Sequence, residues 1–407
     1  MKSSPGERLL AHVQRRWERR HWQHAADWWQ REAKISKRKH GAQDPASARA
    51  REQRAVALQR LGRLAEAAAE FGAVAEARTA ALGPGRPKTL VAKSWQASLL
   101  HESGRFAEAE AAWGSVAAGL GHLYGAGHPE TLNAREGRAR ALRESGRLAE
   151  AEAEFRDIAG VWQAALGDPT GARRVRRWQA AVLEDLGRSP EAETILLSVI
   201  TGLTASRGAD DRITLVYRSQ LAISLRSLGR LTEAEAECRE LIPALGTAFG
   251  QANGETIAAR ARLGTTLRGL GRLDEAEQEL ATAAAAMSEL RGPRHRHALE
   301  FRYHRALALR ELGRSAEAEA ELRTAATGFS ATLGPEHFWT LRAKAWLGVA
   351  LYDRGRLNEA ASLLQPATDA LTASLGADHP RVRGLAEHLA ALNAERQPPE
   401  RGGGETP

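Results

Sequence analysis

HPETLNAREGRARALRESGRLAEAEAEF, residues 128–155, decides the fold. Leu132, Ala139 and Leu142 stand on one helical face, because steps of three, four and seven residues return to the same side of a helix. Gly146 stops that run, as a glycine just past a helix end does. Ala151 and Phe155 resume it four residues apart. The stretch therefore reads as two antiparallel helices, A and B, joined by a tight turn at Gly146-Arg147.

The same pattern recurs along the chain. Seventeen of the 38 glycines lie 21 residues apart, from Gly41 to Gly376, with one step of 20 between Gly167 and Gly187. Every second one is followed by arginine: Arg63, Arg105, Arg147, Arg188, Arg230, Arg272, Arg314 and Arg356. Counted from these Gly-Arg glycines, leucine stands four residues before in all eight units, from Leu58 to Leu351. Alanine or glycine stands seven before, Glu-Ala four and five after, and Phe, Trp, Leu or Cys238 nine after. A single helical pair of this size cannot bury its apolar face, whereas stacked neighbours can. The expected fold class is all-α: about eight antiparallel helix pairs in residues 41–375, a capping helix in 1–40, another in 376–396, and a disordered tail, 397–407.

The pattern resembles the tetratricopeptide repeat, in the 42-residue form of kinesin light chains and of the repeat tails of bacterial signalling ATPases. His128-Pro129-Glu130-Thr131-Leu132, Ala139, Leu142, Gly146-Arg147, Glu150-Ala151-Glu152 and Phe155 carry it, as do Thr340-Leu341, Gly348, Leu351, Gly355-Arg356 and Glu359-Ala360. The closing proline of the shorter 34-residue form and the kinesin-type asparagines of helix A are missing, and no ATPase module is expected. The resemblance implies a right-handed superhelical solenoid whose concave face is lined by helix A. It further implies binding of extended peptides or partner helices there, through positions ten, six and three before the Gly-Arg glycine.

The last of these columns reads Gln59, His101, Arg143, Glu184, Arg226, Arg268, Arg310, Tyr352; Arg177 and Arg140 occupy the other two. Arg140, Arg143, Arg177, Arg226, Arg268 and Arg310 are the candidate groove residues. Arginine forks suit carboxylates, so the expected ligand is an acidic peptide or partner helix. The alternative is an ordinary solvated face, neutralised by Glu102, Glu144, Asp185, Glu311 and Asp353 one residue further on. A second column, eleven before the glycine, is always basic: Arg51, Lys93, Arg135, Arg176, Arg218, Arg260, Arg302, Lys344. Its spacing puts it on the buried stripe, where a cation needs a partner. The Glu of Glu-Ala is the expected one; a row of cations lining a ligand channel is the alternative.

Formal charge is +8, of which residues 1–40 supply a net +7, from 11 basic and 4 acidic side chains. Setting Arg20 in the glycine slot places Trp22, Ala25 and Trp29 in the Leu, Ala and aromatic slots of a capping helix B. A second stripe runs Leu10, Val13, Trp17, His21, His24, Trp28, Ile35. Arg15, Arg16, Arg19 and Arg20 fall outside both stripes, and make a possible second surface for nucleic acid or an anionic membrane. At the other end Ala390 takes the small slot and Asn393 replaces the leucine, as a cap requires. Residues 167–187 are one shorter than the other segments, and Arg173-Arg174-Val175-Arg176-Arg177-Trp178 stands where Thr-Leu usually does. A local change of helix phase and a tolerated deletion both fit.

Enzyme signals are poor. No G-x-x-x-x-G-K-[ST], His-Glu-x-x-His or cysteine pair is present, so no catalytic residue, metal ligand set or cofactor is expected. His295, His297 and His304 read as surface histidines. Cys238 sits in the core slot as a packed thiol and permits no internal disulfide, which fits a cytoplasmic protein. No apolar stretch resembles a signal peptide or a membrane span. Arginine outnumbers lysine 51 to 7, which resembles a high-GC bacterial source. The expected role is a non-enzymatic protein-binding scaffold, a regulatory subunit of a signalling or transcription complex being the related alternative.

Overall fold

The Gly-Arg turn explains why the chain is built of hairpins. In the third unit Gly146 takes φ +83°, the left-handed region. There the Arg147 N–H donates to the Leu142 carbonyl at 2.9 Å, the closing bond of a Schellman stop. The Leu column thus supplies both a core side chain and the capped carbonyl. The longer turn between units uses a second set of bonds. Gly125 takes φ +95°, and the buried Thr131 hydroxyl donates to the Gly125 carbonyl at 2.9 Å. Thr89, Thr256 and Thr340 repeat that bond in other units.

The computed structural model describes residues 5–41, 44–164, 169–377 and 379–396. The expected tail 397–407, the turn at 165–168 in the irregular fourth unit, and the side chains of Arg15, Arg16 and Arg19 lie outside what it describes. Among the described residues there are 18 α-helices and no strand. The chain forms two compact units, Met1–Val175 and Arg176–Pro407.

The first unit holds α1 (Pro5–His40), α2 (Pro45–Arg60), α3 (Leu64–Leu82), α4 (Pro87–Glu102), α5 (Phe106–Tyr124), α6 (Pro129–Glu144) and α7 (Leu148–Ala164); α8 (Pro169–Asp185) spans the division. The second holds α9 (Ser189–Arg207), α10 (Arg212–Ser227), α11 (Leu231–Phe249), α12 (Gly254–Gly269) and α13 (Leu273–Arg291). It continues with α14 (Arg296–Glu311), α15 (Ser315–Leu333), α16 (Phe338–Tyr352), α17 (Leu357–Leu375) and α18 (Pro380–Arg396). In each unit consecutive helices pack against one another.

The core follows the columns. The leucine slot is buried in every unit, and the small slot from Ala55 to Ala306 is buried with it. Phe71, Phe155, Leu196, Cys238, Leu280, Leu322 and Leu364 fill the slot nine after the glycine. Burial pushes the Cys238 thiol up to about 11, so it is a packed, unreactive group. The half-buried Trp113 takes the same slot in its unit and lies over Gly137, whose absent Cβ would meet the indole at 2.6 Å. At the C-terminal end the leucine slot shifts by one: Leu392 is fully buried and Asn393 is half-buried.

Six helix starts carry a capping residue three after the inter-unit glycine, whereas Arg86 makes no such bond. Asp44, Asp211 and Asn253 accept a backbone N–H with a side-chain oxygen; His128, His295 and His337 do so with Nδ1. An imidazole can accept there only while that nitrogen is unprotonated. Burial, with His297, Arg291 and Arg296 adding to it, pushes His295 down to about 4. A folded-state value below the unfolded one means the cap is intact at neutral pH. Its contribution is lost as pH falls from the unfolded histidine range through about 4. His295→Asn keeps the cap without a titrating group. Between pH 7 and pH 5 the wild type is expected to lose about 1 kcal/mol more stability than the variant; parallel urea melts at the two pH values check this.

Candidate partner-binding surface

Two rows of helices result, and their spacing tells which is concave. Neighbouring A helices touch in both units: α4 with α6, α10 with α12, α12 with α14, α14 with α16 and α16 with α18, though α2 and α4 do not. No corresponding contact between neighbouring B helices exists among the described residues. A stack whose one row is closer than the other curves toward the close row, so the A helices form the inner face.

The column eleven before the glycine is not paired as its spacing suggested. Arg51, Arg135, Arg218, Arg260 and Arg302 each reach the Glu eight residues after their own glycine: Glu70, Glu154, Glu237, Glu279 and Glu321. These are pairs within one hairpin, 2.7–3.3 Å long. All the cations of this column are half-buried, so it lies at the edge of the core stripe. Where that acidic slot is Ala112 or Leu363, the column carries Lys93 or Lys344, which bond to the Ser115 hydroxyl and the Pro335 carbonyl.

The Glu of Glu-Ala pairs instead with the Gly-Arg arginine three residues before it, in all eight units from Arg63–Glu66 to Arg356–Glu359. That arginine also crosses to the preceding hairpin. Arg147, Arg230, Arg272 and Arg356 bond Glu110, Glu193, Glu235 and Glu319 respectively, each on the earlier B helix. The ladder between repeats therefore exists, with a different cation from the one expected.

The six candidate groove arginines divide between the units: Arg140 and Arg143 in the first, Arg177, Arg226, Arg268 and Arg310 in the second. All six are half-buried. Arg310 is held by Asp353 at 2.5 Å and stacks over Trp346 at 5.4 Å. Arg268 lies 3.8 Å from Glu311, Arg143 is 3.5 Å from Glu144, and Arg177 stands over the Trp178 ring at 5.3 Å. Tyr352 continues the line by donating to Glu395 at 2.5 Å. The inner row of the second unit is thus an alternation of cation and acid, in which Glu311 and Asp353 neutralise Arg268 and Arg310. Arg20, of the N-terminal set, is exposed on α1.

Exposure along the inner row is uneven. In the column six before the glycine, Val56 is 38% exposed whereas Leu307 is 4% and Val349 is 0%. Val349 joins a core cluster with Tyr303, Trp346 and Leu385, which closes the inner face near the C-terminal helices. In that unit the chain also returns on itself: His379 Nε2, at the start of α18, lies 3.1 Å from the Asp185 carbonyl, 194 residues away. In the first unit Val91 (54%) and Trp95 (49%), four apart on α4, stay open, with Trp95 stacked on Phe71 at 5.9 Å. A separate cleft of about 420 Å³ lies between α3 and α4, lined by Gly72, Ala75, Glu76, Thr79, Ala80, Lys93 and Gln96. Sequence reasoning passed over this patch because Val91 and Trp95 stand thirteen and nine before Gly104, off the three groove columns.

Among the described residues no group of three or more His, Cys, Asp or Glu could hold a metal ion, and no helix is long and apolar enough to cross a membrane. His295 caps α14 and is partly covered, so it does not fit the surface reading, while His297 is exposed.

Family models of the tetratricopeptide repeat match residues 340–381, 261–332, and 90–115, 132–157 and 173–197. No curated protein sequence matches the chain. Among solved structures it is similar to a Rap protein complexed with Competence and Sporulation Factor. The TM-score is 0.55 and the identity 12%, covering 85% of this chain and 99% of that one. It is also similar to the apo form of the quorum sensor NprR from B. thuringiensis, with TM-score 0.53 and 11% identity over 86% and 98% of the two chains. A Podosopora anserina putative kinesin light chain with TPR-like repeats matches 51% of this chain and 96% of its own at 19% identity and TM-score 0.42. The repeat signature, the hairpin stack in each unit and the family-model matches agree: the chain is a tetratricopeptide-repeat protein.

Proposed function

We propose that the chain is a non-enzymatic protein-interaction scaffold that holds a partner segment on the inner face of its first unit. The observation that carries this reading is the open patch of Val91 and Trp95, with Val56 exposed on the same row, against the sealed inner face around Val349. Exposed aromatic and aliphatic side chains on a concave, rigid row are the usual anchor of a partner segment. Arg140 and Arg143, on α6, give that row a basic end. The ligand is therefore an extended or helical segment with apolar anchors followed by carboxylates. Arg268 and Arg310 contribute less, because a ligand carboxylate must displace Glu311 and Asp353.

A fluorescent 15-residue peptide of leucine, alanine and glutamate, and its Glu→Gln counterpart, test the reading by titration. The acidic peptide is expected to bind the wild type more tightly. Trp95→Ala is expected to weaken both peptides about tenfold, and Arg140→Ala/Arg143→Ala to erase the preference for the acidic one. Equal affinity across all these pairs would reject the assignment.

A further inference from the structure

We propose that the outer ridge of α1 docks the protein on an anionic lipid bilayer surface. The helix has two faces of different fate. Ala26 and Ala33 are buried, and Trp22 packs with Ala26 against the Leu58 cluster of α2 and its neighbours. A quarter-turn or more away, His21, His24, Trp28 and Ile35 are all exposed, Trp28 at 51% and Ile35 at 45%. Spacings of three, four and seven residues keep them on one stripe.

Helix length leaves this face of α1 without a covering helix. α1 has 36 residues and α2 only 16, about 54 Å against about 24 Å of helix. Among the described residues α1 meets α2 and no other helix. Arg20, Arg31, Lys34, Lys37, Arg38 and Lys39 are exposed along the same helix.

Charge and side-chain type together select the occupant. Residues 1–40 carry 11 basic and 4 acidic groups, so two copies of the ridge repel one another and the partner is anionic. Nucleic acid would use the cations and tryptophan, but gains little from Ile35, which cannot stack on bases. A bilayer interface uses all three classes: aliphatic groups at the acyl boundary, indoles among the headgroups, and lysine and arginine on the anionic lipids. This inference is independent of the inner-face reading.

Co-sedimentation of the full chain with vesicles tests it, using phosphatidylcholine alone and phosphatidylcholine with about 30% phosphatidylglycerol. The chain is expected to bind the anionic vesicles at least about tenfold more strongly. Trp28→Ser/Ile35→Ser, which alters exposed positions only, and Lys34→Gln/Lys37→Gln/Arg38→Gln should each reduce that binding about tenfold. Circular dichroism confirms that the variants remain folded. Equal partition onto both vesicles, no sedimentation, or indifference to the apolar double substitution would overturn the proposal. Salt-sensitive binding of a single-stranded oligonucleotide, with the vesicles left unbound, would reassign the ridge to nucleic acid.

Discussion

Gly348→Val is expected to lower the unfolding free energy by about 3 kcal/mol. Gly348 occupies the small slot of the last hairpin, where α16 and α17 come closest. A Cβ at that position would stand 2.9 Å from Leu364 Cβ, 3.0 Å from the Ala360 carbonyl oxygen and 3.0 Å from the Leu364 nitrogen. Two of those atoms are backbone, so no rotamer change makes room and the helices must separate. Ala360 and Leu364 are fully buried and Leu351 is 1% exposed; parting the helices unpacks all three. Six of the other seven units hold alanine in this slot and one holds Gly264, so Ala306→Gly is the matched control, expected to cost only about 1 kcal/mol. Urea unfolding followed by circular dichroism separates the two. A Gly348→Val midpoint no lower than the control's would show that the hairpins tolerate a wider spacing than the slot implies.

How this fold was readable is visible at the same position. The small slot, the leucine four from the stop and the Glu-Ala alanine are local requirements of one hairpin, and they recur because each unit meets the same neighbours. Periodicity alone therefore located the helices, the Gly-Arg stops and the core columns. Periodicity does not say where a curved stack closes on itself. The return of His379 to Asp185 joins residues 194 apart, and the sealing of Val349 depends on Trp346 and Leu385. Neither follows from what a single unit contains.

The charged columns show the same limit. Arg135 was matched in sequence with the glutamate of Glu-Ala because both occur in all eight units. The glutamate that binds it, Glu154, sits eight after the glycine and is absent from three units, where Ala112, Ile195 and Leu363 stand. Geometry chose the nearer carboxylate over the more regular one. Glu150, at the first turn of α7, is instead gripped by Arg147 at 2.6 Å, and its carboxyl is held below the usual carboxylate range by that hydrogen bond. The candidate groove arginines were legible as a stripe, and Glu311 and Asp353 as their neutralisers. What remained hidden was that the partner acid comes from the next repeat: Arg310 and Asp353 are 43 residues apart.

Glu319→Gln is expected to cost about 2 kcal/mol at neutral pH and much less in acid. This carboxylate, on α15, is the most heavily engaged rung of the ladder between repeats. Arg323 reaches it at 2.5 Å, Arg356 at 2.8 Å, and Arg354 bonds the second oxygen. Its side chain is only 8% exposed, whereas the three arginines are 36–55% exposed. The asymmetry sets the size of the effect. Removing the negative charge leaves three guanidiniums that can still turn to water, and Arg356 keeps Glu359 at 2.5 Å. The cost therefore falls below the range for a fully buried pair. Burial pushes the Glu319 carboxyl up, but the hydrogen bonds from Arg323, Arg356 and Arg354 and the Arg356 charge outweigh it, so the group lies below its ordinary value. A carboxylate depressed in the folded state stabilises above its unfolded pKa, and that contribution disappears as pH falls through the folded one. The gap between wild type and Glu319→Gln should thus be full at pH 7 and shrink toward about pH 3. Urea midpoints measured across that interval decide the matter: a constant gap would assign the loss to packing around the side chain, and no gap at pH 7 would show that the rung contributes nothing to holding adjacent hairpins together.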